Sequence, residues 1–471
     1  MTPGNAYIVT VTSWTPAIPS GDAPRYLAIA EAIGRDVKSG RLPAGTRLPT
    51  HRDLAGTLGV TVGTITRAYG EAARRGLLSG EVGRGTFVRA SREEVTFAIP
   101  AERGAVELDL SLNFPVSDVH TEALSEALAA AAQQGDLASL FDYHAHVGAA
   151  RHRAAGAAWI RRTGLPAREE DVLVCGGAQH AMAVLFASIA RPGDTVLTEE
   201  LTYPGMKAVA SLLHLRLQGV PMDGSGLRPD AFESACRAAS PRALYCMPTI
   251  HNPTCAVMPE SRRKEIASIA RQRGVTIVED DIYGFLAAKP PKPLAAFAPE
   301  ISYYLTSASK SILPGLRIGY LLAPRGAAGR LASPLWTLGF MAVPLMAEIT
   351  ARWIADGTAE KFVRWRRKEA ALRQKIARRI LGGFDSAAHP SSYHLWLRLP
   401  EPWRSEELVA QAKRRGVAIT PSTAFVVGRG AEPHAARISL GGPRDHASLE
   451  RALFILKEIL DGAPEPGPTI V

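Results

Sequence analysis

The sequence predicts two domains of different fold classes, an N-terminal winged helix-turn-helix of the α+β class and a larger α/β domain. The length of 471 residues favours more than one domain. Helical and hairpin patterns occupy the first part of the chain, whereas apolar strand-like runs alternate with helical runs from residue 108 onward. Positive charge is concentrated in the first part, which indicates a basic module joined to a larger one.

The excess positive charge lies mainly in residues 24–89. This segment contains eleven Arg or Lys and five Asp or Glu, a net charge of +6 in a chain that carries +10 overall. A basic balance is compatible with a nucleic-acid partner but does not establish one.

Other features of the composition exclude several classes of protein. The sequence has no uninterrupted apolar run of about 18 residues, so we expect no membrane-spanning helix and no membrane partner. The N-terminus lacks the basic and apolar regions of a secretory signal. The four cysteines, Cys175, Cys236, Cys246 and Cys255, show no C-x-x-C spacing. We therefore expect neither disulfides nor a metal site, and a cytoplasmic location.

Residues 24–88 have the pattern of one compact unit. The stretch "RYLAIAEAIGRDVKSG" has apolar residues at helical spacing and predicts a helix that ends at Gly40. "LPAGTRLPT" predicts a turn and "HRDLAGTLGV" a short second helix. "TVGTITRAYGEAARRGLL" predicts a third helix with Thr61 as its N-cap, and "LLSGEVGRGTFV" predicts a hairpin. This order of elements is that of a winged helix-turn-helix.

The third helix and its surroundings carry the candidate contacts to double-stranded DNA. Polar residues near the start of a recognition helix can reach base edges in the major groove, whereas arginines elsewhere bind phosphates or the minor groove. The candidate groove-reading residues are Thr61, Thr64 and Arg67, and the candidate backbone-contacting residues are Arg47, Arg52 and Arg84.

The stretch "GRLPAGTRLPTHRDLAGTLGVTVGTITRAYGEAARRGLLSGEVGRGTFV" resembles the DNA-binding domain of the GntR family of bacterial regulators. The resemblance implies an operator as partner and places Arg47 and Arg52 near the DNA backbone. The family commonly begins its recognition helix with Ser-Arg, where this chain has Thr61-Val62-Gly63, so the resemblance implies no particular operator sequence. We assign residues 20–89 to this domain and residues 90–107 to a linker.

The larger domain, residues 108–471, has the pattern of a mostly parallel sheet covered by helices. Short apolar runs are separated by helical runs such as "AQHAMAVLFASIA" and "ESRRKEIASIARQRG". The predicted strands are "DVLVCGG", "DTVLTEE", "RALYCMP", "VTIVEDD", "YYLTSAS" and "RIGYLLA". Ligands of such folds bind at the carboxyl ends of the strands, and the polar residues of interest in this chain lie there.

These polar residues match the needs of one ligand, pyridoxal 5′-phosphate. Its aldehyde needs a lysine, its pyridine nitrogen a carboxylate and its ring oxygen donors such as Asn and Tyr. Its phosphate needs backbone N–H groups, hydroxyls and an arginine. The motifs "GGAQ", "HNPT", "EDDIYG" and "SASK" followed by "PGLRIGY" supply all of these in order.

The motifs "GGAQ", "YPG", "HNPT", "EDDIYG", "SASK", "PGLRIGY" and "ARISL" resemble those of fold-type I aminotransferases. The resemblance implies an α/β fold-type I domain with a small C-terminal α/β subdomain, and Lys310 as the catalytic Schiff-base lysine. It implies that Asp280 pairs with the pyridine nitrogen, that Tyr203 stacks on the ring and that Arg437 binds an effector carboxylate. The other implied cofactor-binding residues are Gly177, Ala178, Gln179, Asn252, Tyr283, Ser307, Ser309 and Arg317.

A GntR-like domain joined to an aminotransferase-like domain resembles the MocR family of regulators. This resemblance implies a cytoplasmic transcription regulator that senses a small amine, an amino acid or the cofactor itself. It also implies a domain-swapped homodimer. The alternative is a competent aminotransferase with an accessory DNA-binding domain, because all the expected cofactor contacts are present. The sequence leaves the effector, the operator and the sign of regulation open.

Overall fold

A computed structural model describes residues 14–18, 24–39, 41–42, 46–81, 85–88, 108–116, 121–133, 137–428, 432–462 and 464. The chain divides into two compact units, Met1–Arg103 and Gly104–Val471. The linker predicted over residues 90–107 and the wing residue Arg84 lie outside the described residues.

The N-terminal unit has the predicted order of helices followed by a hairpin. Its elements are α1 (Arg25–Lys38), α2 (His51–Leu58), α3 (Val62–Arg74), β1 (Leu78–Glu81) and β2 (Gly85–Val88). The strands β1 and β2 pair antiparallel, with Leu78 opposite Val88. The fold prediction for this unit is therefore confirmed.

Local interactions set the ends of the two short helices. Thr50 caps α2 by accepting from the Asp53 amide, and Gly59 ends that helix with a left-handed φ of 62°. Thr61 caps α3 by accepting from the Thr64 amide at 3.2 Å, as the sequence predicts. The first helix ends at Lys38, two residues before the predicted Gly40.

The segment before α2 also pairs with the hairpin, which the sequence did not indicate. The Leu48 amide donates to the Thr86 carbonyl and the Val88 amide to the Thr46 carbonyl, each at 2.9 Å. A Cβ at Gly85, where φ is 122°, would lie 2.8 Å from Arg47 Nε. The wing therefore needs glycine here so that the Arg47 side chain can cross it.

The larger unit is an α/β domain with two main sheets. Its strands are β3 (Leu108–Asp109), β4 (Val172–Cys175), β5 (Thr195–Glu199), β6 (Arg216–Val220), β7 (Met222–Asp223), β8 (Gly226–Leu227), β9 (Ala243–Cys246), β10 (Thr276–Asp280), β11 (Ser302–Ser307), β12 (Gly319–Leu322), β13 (Ser386–Ala388), β14 (His394–Arg398), β15 (Val417–Ala418), β16 (Thr420–Pro421) and β17 (Ala435–Ser439).

Helices cover both sheets. They are α4 (Thr121–Gln133), α5 (Ala150–Arg161), α6 (Ala178–Ile189), α7 (Pro204–Leu212), α8 (Pro229–Ala239), α9 (Glu260–Arg273), α10 (Ala308–Ser311), α11 (Ala332–Gly339), α12 (Pro344–Ala355), α13 (Thr358–Leu381), α14 (Ser405–Arg414) and α15 (His446–Asp461). No helix among the described residues is both long and apolar enough to cross a bilayer.

The central sheet has seven strands in the order β4-β12-β11-β10-β9-β5-β6. All neighbouring pairs are parallel except those of β12, which runs antiparallel to both β11 and β4. All six strands predicted from apolar runs lie in this sheet, and the sequence reading missed only its edge strand β6. Because β12 is reversed, it begins at the edge of the sheet where β4 and β11 end.

A smaller sheet near the C-terminus has the order β13-β14-β17-β16 and forms the C-terminal subdomain that the resemblance implied. Residues from the start of the large domain join its core, because Leu108 and Leu110 pack with Leu395 and Ile438. The chain from β3 to residue 116 therefore connects this subdomain to the central sheet.

A buried arginine holds the loop that follows β9. The Arg263 guanidinium, fully buried on α9, donates to the carbonyls of Pro248 and Met258, each at 2.9 Å. It lies 3.6 Å from Oε1 of Glu279, which is also fully buried. Because both ends of the loop bind Arg263, this residue fixes the position of Asn252 between them.

We predict that Arg263→Met lowers the free energy of unfolding by about 3 kcal/mol, because it leaves the Glu279 carboxylate buried without its cation. Burial already raises the pKa of Glu279 to about 7, above the 4.5 of a free side chain. Arg263 lowers this pKa, so its removal raises the pKa above 7, and the deficit should be largest at alkaline pH and shrink as the pH falls towards 7, where protonation removes the uncompensated charge. Urea unfolding followed by near-UV circular dichroism at several pH values measures both effects.

The matched control is Arg262→Met, one residue earlier on the same helix. Arg262 pairs with the exposed Asp223 at 2.6 Å, and a surface pair of this kind contributes at most about 1 kcal/mol. An equal loss of stability in the two variants would contradict the role assigned to Arg263.

Candidate functional site

The carboxyl ends of β4, β5, β9, β10 and β11 meet at one edge of the central sheet, beside the start of β12. This convergence follows from the parallel pairing and from the reversal of β12. The predicted cofactor-binding residues lie at these strand ends or in the segments that follow them, except Arg317, which precedes β12. The structure therefore brings this set together at the edge where α/β folds bind ligands.

A Gly-Gly turn joins β4 to α6 and is shaped for an anion. Gly177 has a φ of 90°, and Ala178 is the first residue of α6, so its backbone N–H lies at the positive end of the helix dipole. A Cβ on Gly177 would lie 2.6 Å from Nη2 of Arg317, and a Cβ on Gly319 would lie 2.6 Å from the Gly177 carbonyl carbon. Only glycine fits at both positions, which lets the arginine approach the turn.

The serines of "SASK" support this arrangement. Ser309 Oγ accepts from Arg317 Nη1 at 3.1 Å and retains a proton that it can donate. Ser307 Oγ accepts from the Ser309 amide at 3.1 Å and donates to the Ile318 carbonyl at 3.0 Å. Ser307 therefore caps α10, a role that the sequence reading did not include.

Asp280 ends β10 and is buried, with a relative exposure of 2%. Its Oδ2 accepts from the Tyr245 hydroxyl at 2.7 Å, whereas its Oδ1 has no hydrogen-bond partner among the described residues. Burial raises the pKa of Asp280 to about 6, and the neighbouring Asp281 adds to the rise. A cationic N–H next to Oδ1 would satisfy the unpaired oxygen and stabilise the ionised form.

Lys310 follows β11 on the short helix α10. Its Nζ donates to the backbone carbonyl of Asn113. Burial, assisted by the positive charges of Arg437, Arg317 and Arg366, lowers the pKa of Lys310 to about 7. A large fraction of the amine is therefore neutral at physiological pH, which is the form that attacks an aldehyde.

Two predicted donors for the ring oxygen, Asn252 and Tyr283, are buried. Asn252 Oδ1 accepts from Arg437 Nη1 at 3.0 Å, which leaves its NH2 group as a donor. The Tyr283 hydroxyl accepts from Asn113 Nδ2 at 2.8 Å. Burial raises the pKa of Tyr283, so its hydroxyl keeps its proton.

Tyr203 and Gln179 border the same space. The Tyr203 ring lies so close to Gly205 that a Cβ there would be 2.2 Å from Cε1. Gln179 Nε2 donates to the Gly205 carbonyl at 3.0 Å. Burial first, and then the Asp280 charge, raise the pKa of Tyr203.

Arg437 on β17 is a buried cation with neutral hydrogen-bond partners. It donates to Asn252 Oδ1, to the Ser111 carbonyl and to Thr420 Oγ1, the last at 3.2 Å. Its Nε has no hydrogen-bond partner among the described residues. Burial lowers the pKa of Arg437 to about 10, so the guanidinium remains charged at neutral pH.

The residues present fit pyridoxal 5′-phosphate. The turn at Gly177 with Arg317 suits the phosphate, Asp280 Oδ1 the pyridine N–H, Lys310 the aldehyde, and Asn252 with Tyr283 the ring oxygen. The unpaired Asp280 oxygen and the space kept open by Gly177 are the two observations that test this fit. No group of three or more His, Cys, Asp or Glu among the described residues could hold a metal ion. All four cysteines are free and buried.

In the N-terminal unit, part of the candidate DNA-contacting set lies together. The first turn of α3 and the start of α1 line one cleft: Arg25, Tyr26, Thr61, Gly63, Thr64 and Arg67. Thr61 Oγ1 and Thr64 Oγ1 are 2.9 Å apart, so these hydroxyls bind each other as well as the helix end. Arg52 is exposed at the start of α2, and Arg47 lies against the wing.

Sequence reasoning missed several residues that build these sites. Tyr245 could have been noticed as the one tyrosine in the apolar strand "ALYC". Asn113 lies in "SLNFP", where no motif singles it out. Arg25 and Tyr26 lie at the start of a predicted helix, and the sequence gives them no further role. Their importance follows from packing, which brings them to residues distant in sequence.

The chain is similar to two families over separate stretches. Residues 106–454 match the family of class I and II aminotransferases. Residues 25–88 match the gntR family of bacterial regulatory proteins.

Individual relatives and one solved structure match most of the chain. The HTH-type transcriptional regulator YdeF of Bacillus subtilis is 31% identical over 98% of this chain and 99% of its own length. The pyridoxine biosynthesis regulator PdxR of Corynebacterium glutamicum is 26% identical over 86% of this chain and 89% of its own. The structure of LysN, an α-aminoadipate aminotransferase of Thermus thermophilus in complex with N-(5′-phosphopyridoxyl)-L-leucine, has a TM-score of 0.69 and 25% identity. The aligned region covers 75% of this chain and 92% of the LysN chain.

We predict that Gly177→Ala weakens the binding of pyridoxal 5′-phosphate roughly 10- to 100-fold, the equivalent of losing one hydrogen bond to a charged group. The added Cβ would displace Arg317 and would strain a backbone with a φ of 90°. Titration of the cofactor-free protein, followed by quenching of tryptophan fluorescence, measures the affinity. Gly315→Ala, where a Cβ meets nothing within 4 Å, is the control and should bind like the wild type. An unchanged affinity of the Gly177 variant would contradict the assignment of the phosphate site.

Proposed function

We infer that this chain is a DNA-binding transcription regulator that uses pyridoxal 5′-phosphate. The chain belongs to the family of HTH-type regulators that join a GntR-family domain to a class I and II aminotransferase domain. The observation that carries this inference is the presence of both modules in one chain. A basic winged helix has no evident use in an enzyme that acts only on small molecules.

When bound, pyridoxal 5′-phosphate supplies an aldehyde that condenses with amines and a ring that withdraws electrons. The residues of this chain would hold it in one orientation. Lys310, with a pKa near 7, offers a neutral amine to the aldehyde. Asp280 Oδ1 would accept from the pyridine N–H, while the Tyr245 hydroxyl donates to the other carboxylate oxygen at 2.7 Å.

The effector would carry a primary amine and a carboxylate. Its amine would take the place of the Lys310 amine, and its carboxylate would bind Arg437. Support for the second contact comes from charge, because the groups to which the buried Arg437 guanidinium donates, on Asn252, Ser111 and Thr420, are all neutral. A carboxylate would provide the opposite charge that a buried cation needs.

Effector binding regulates DNA binding only if the effector favours one arrangement of the protein over another. We propose that this arrangement involves two copies of the chain in a domain-swapped homodimer, acting in the cytoplasm. A second possible effector is pyridoxal 5′-phosphate itself, which the name of the relative PdxR favours.

A competent aminotransferase is the second candidate function. Its support is the presence of every residue type that we expect the cofactor to need, together with the likeness to LysN at 25% identity. An enzyme and a sensor differ in the step after effector binding. The enzyme passes the amino group to the cofactor and then to a keto acid, whereas the sensor stops at the bound amine.

We predict that a subset of amino acids shifts the visible absorbance of the cofactor-loaded protein without converting the cofactor to its pyridoxamine form. The same amino acids should change the affinity for an operator that the purified protein has selected from a random DNA pool. Absorbance titration with a panel of primary amines and amino acids, followed by fluorescence anisotropy on DNA, measures both. Conversion to the pyridoxamine form, reversed by a keto acid, would instead establish an aminotransferase.

The variant Lys310→Ala distinguishes an effect on cofactor binding from an effect on DNA binding. This variant should lose the visible absorbance of the bound cofactor and the response of DNA binding to the amino acid, while retaining affinity for the operator. A response to the amino acid that persists in Lys310→Ala would show that the effector acts elsewhere.

For the DNA-binding unit, we predict different effects for two arginines. Arg67→Gln should reduce discrimination between operator and unrelated DNA by about 1–3 kcal/mol, as expected for a base contact. Arg52→Gln should weaken both equally and lower the salt dependence by about one phosphate contact. Salt-dependent anisotropy titrations distinguish the two. Arg74→Gln, at the far end of α3 in an ion pair with Glu71, is the control. Equal effects of Arg67→Gln and Arg52→Gln on discrimination would contradict the assigned positions.

A further inference from the structure

A buried chain of hydrogen bonds reaches the cofactor site from β14. His394 Nε2 lies 3.2 Å from the His251 carbonyl oxygen, and His394 Nδ1 lies 3.0 Å from Asn113 Nδ2. Asn113 Nδ2 lies 2.8 Å from the Tyr283 hydroxyl oxygen. The exposed fractions of His394, Asn113 and Tyr283 are 0%, 8% and 2%. These contacts are thus shielded from bulk water, so the direction of each hydrogen bond matters.

The carbonyl of His251 fixes these directions. A carbonyl only accepts, so His394 must carry its proton on Nε2. Burial, together with the nearby charges of Arg437 and Lys310, keeps the imidazole neutral by lowering the pKa of His394 to about 3. A neutral imidazole has one N–H, so Nδ1 is an acceptor. The NH2 group of Asn113, and not its oxygen, must therefore face His394.

The same NH2 group donates to Tyr283. Because the tyrosine oxygen accepts from Asn113, its single proton must point to another partner. The hydroxyl stays protonated, since burial raises the pKa of Tyr283. The backbone carbonyl of Asn113 also accepts from Lys310 Nζ. One residue thus contacts both the candidate ring-oxygen donor and the lysine.

We propose that Asn113 is a positioning residue that fixes the Tyr283 hydroxyl as a donor to the cofactor ring oxygen and holds Lys310 beside it. The inference rests on the proposed binding of pyridoxal 5′-phosphate at Lys310. His394 and the His251 carbonyl serve as the anchor that orients the Asn113 amide.

The arrangement has a consequence for the cofactor-bound lysine nitrogen. That nitrogen, when protonated, donates to the ring oxygen, and a hydrogen bond to a charged group favours the charged form. A Tyr283 hydroxyl that donates to the same oxygen competes with this contact. Tyr283 thereby keeps the pKa of the nitrogen low. The Asn113 side chain donates to Tyr283, whereas the contact with Lys310 is made by the backbone carbonyl, so a change of side chain should act on this pKa only through Tyr283.

The test is a pH titration of the visible absorbance of the cofactor-loaded protein. Asn113→Leu, which keeps the side-chain volume but removes the amide, should raise the pKa of the chromophore by about 1, the equivalent of one hydrogen bond to a charged oxygen. Tyr283→Phe should raise it by at least as much. The double variant should match Tyr283→Phe, because the contact of Asn113 with Lys310 is made by the backbone carbonyl, which every variant retains. Asn113→Ala should give the same shift and serves if the leucine variant does not fold.

The other groups that act on the titration remain in every variant. These are the cations Arg317, Arg366 and Arg437 around Lys310, and Asp280 and Tyr203 near Tyr283. Ser392→Ala is the matched control. It removes the other polar contact of His394 Nδ1, at 3.2 Å, and leaves both donor contacts of Asn113 in place. Its chromophore should titrate like that of the wild type.

The outcomes separate the two proposals. A visible chromophore in the wild type with an unchanged pKa in Asn113→Leu and Asn113→Ala would overturn the role of Asn113 alone. So would a further rise when Asn113→Leu is added to Tyr283→Phe. The absence of any cofactor chromophore in the wild-type protein would overturn the role of Asn113 and the proposed function together.

Discussion

The reversed strand β12 is the constraint on which the site depends. Because it lies between β4 and β11 and runs against both, its first residues meet the last residues of its neighbours. Gly319 then approaches Gly177 so closely that Gly319 can carry no Cβ, and a Cβ on Gly177 would meet the Arg317 side chain. Arg317 reaches the Gly-Gly turn and Ser309 from this one starting point. A single strand direction therefore assembles the candidate phosphate site from three separate parts of the chain.

Electrostatics in this cleft follow from burial more than from ion pairing. Burial raises the pKa of Asp280, lowers that of Lys310 and lowers that of Arg437. Each group is thereby left with a need that a ligand can meet, namely a cation for the carboxylate, an aldehyde for the amine and a carboxylate for the guanidinium. Tyr245 and Asn113 do not neutralise Asp280 and Lys310 but hold them in place by hydrogen bonds. Buried groups that are held but not neutralised suit the proposed exchange of the Lys310 amine for the amine of an effector.

Both the fold and much of the candidate site could be predicted from sequence. The strands of the central sheet are continuous apolar runs, because a parallel sheet is buried on both faces. The motifs "HNPT", "EDDIYG" and "SASK" lie at or just after the ends of those runs, so their position at the strand ends could be predicted from the sequence. The hydrogen bonds of Ser307 could not be predicted in this way, because its hydroxyl caps α10 and donates to the carbonyl of Ile318, a residue 11 positions later.

The sequence by itself determined the two fold classes, the order of the strands along the chain and the residue types that a pyridoxal 5′-phosphate site requires. These depend on local periodicity, helix caps and motifs, which are contacts between near neighbours. Only the tertiary structure decided the partners of Asn113, which bonds to residues 170 and 281 positions away. It likewise decided that Leu108 and Leu110 join the C-terminal subdomain. Such contacts leave no periodic signal, because they arise from packing between segments that the chain itself keeps apart.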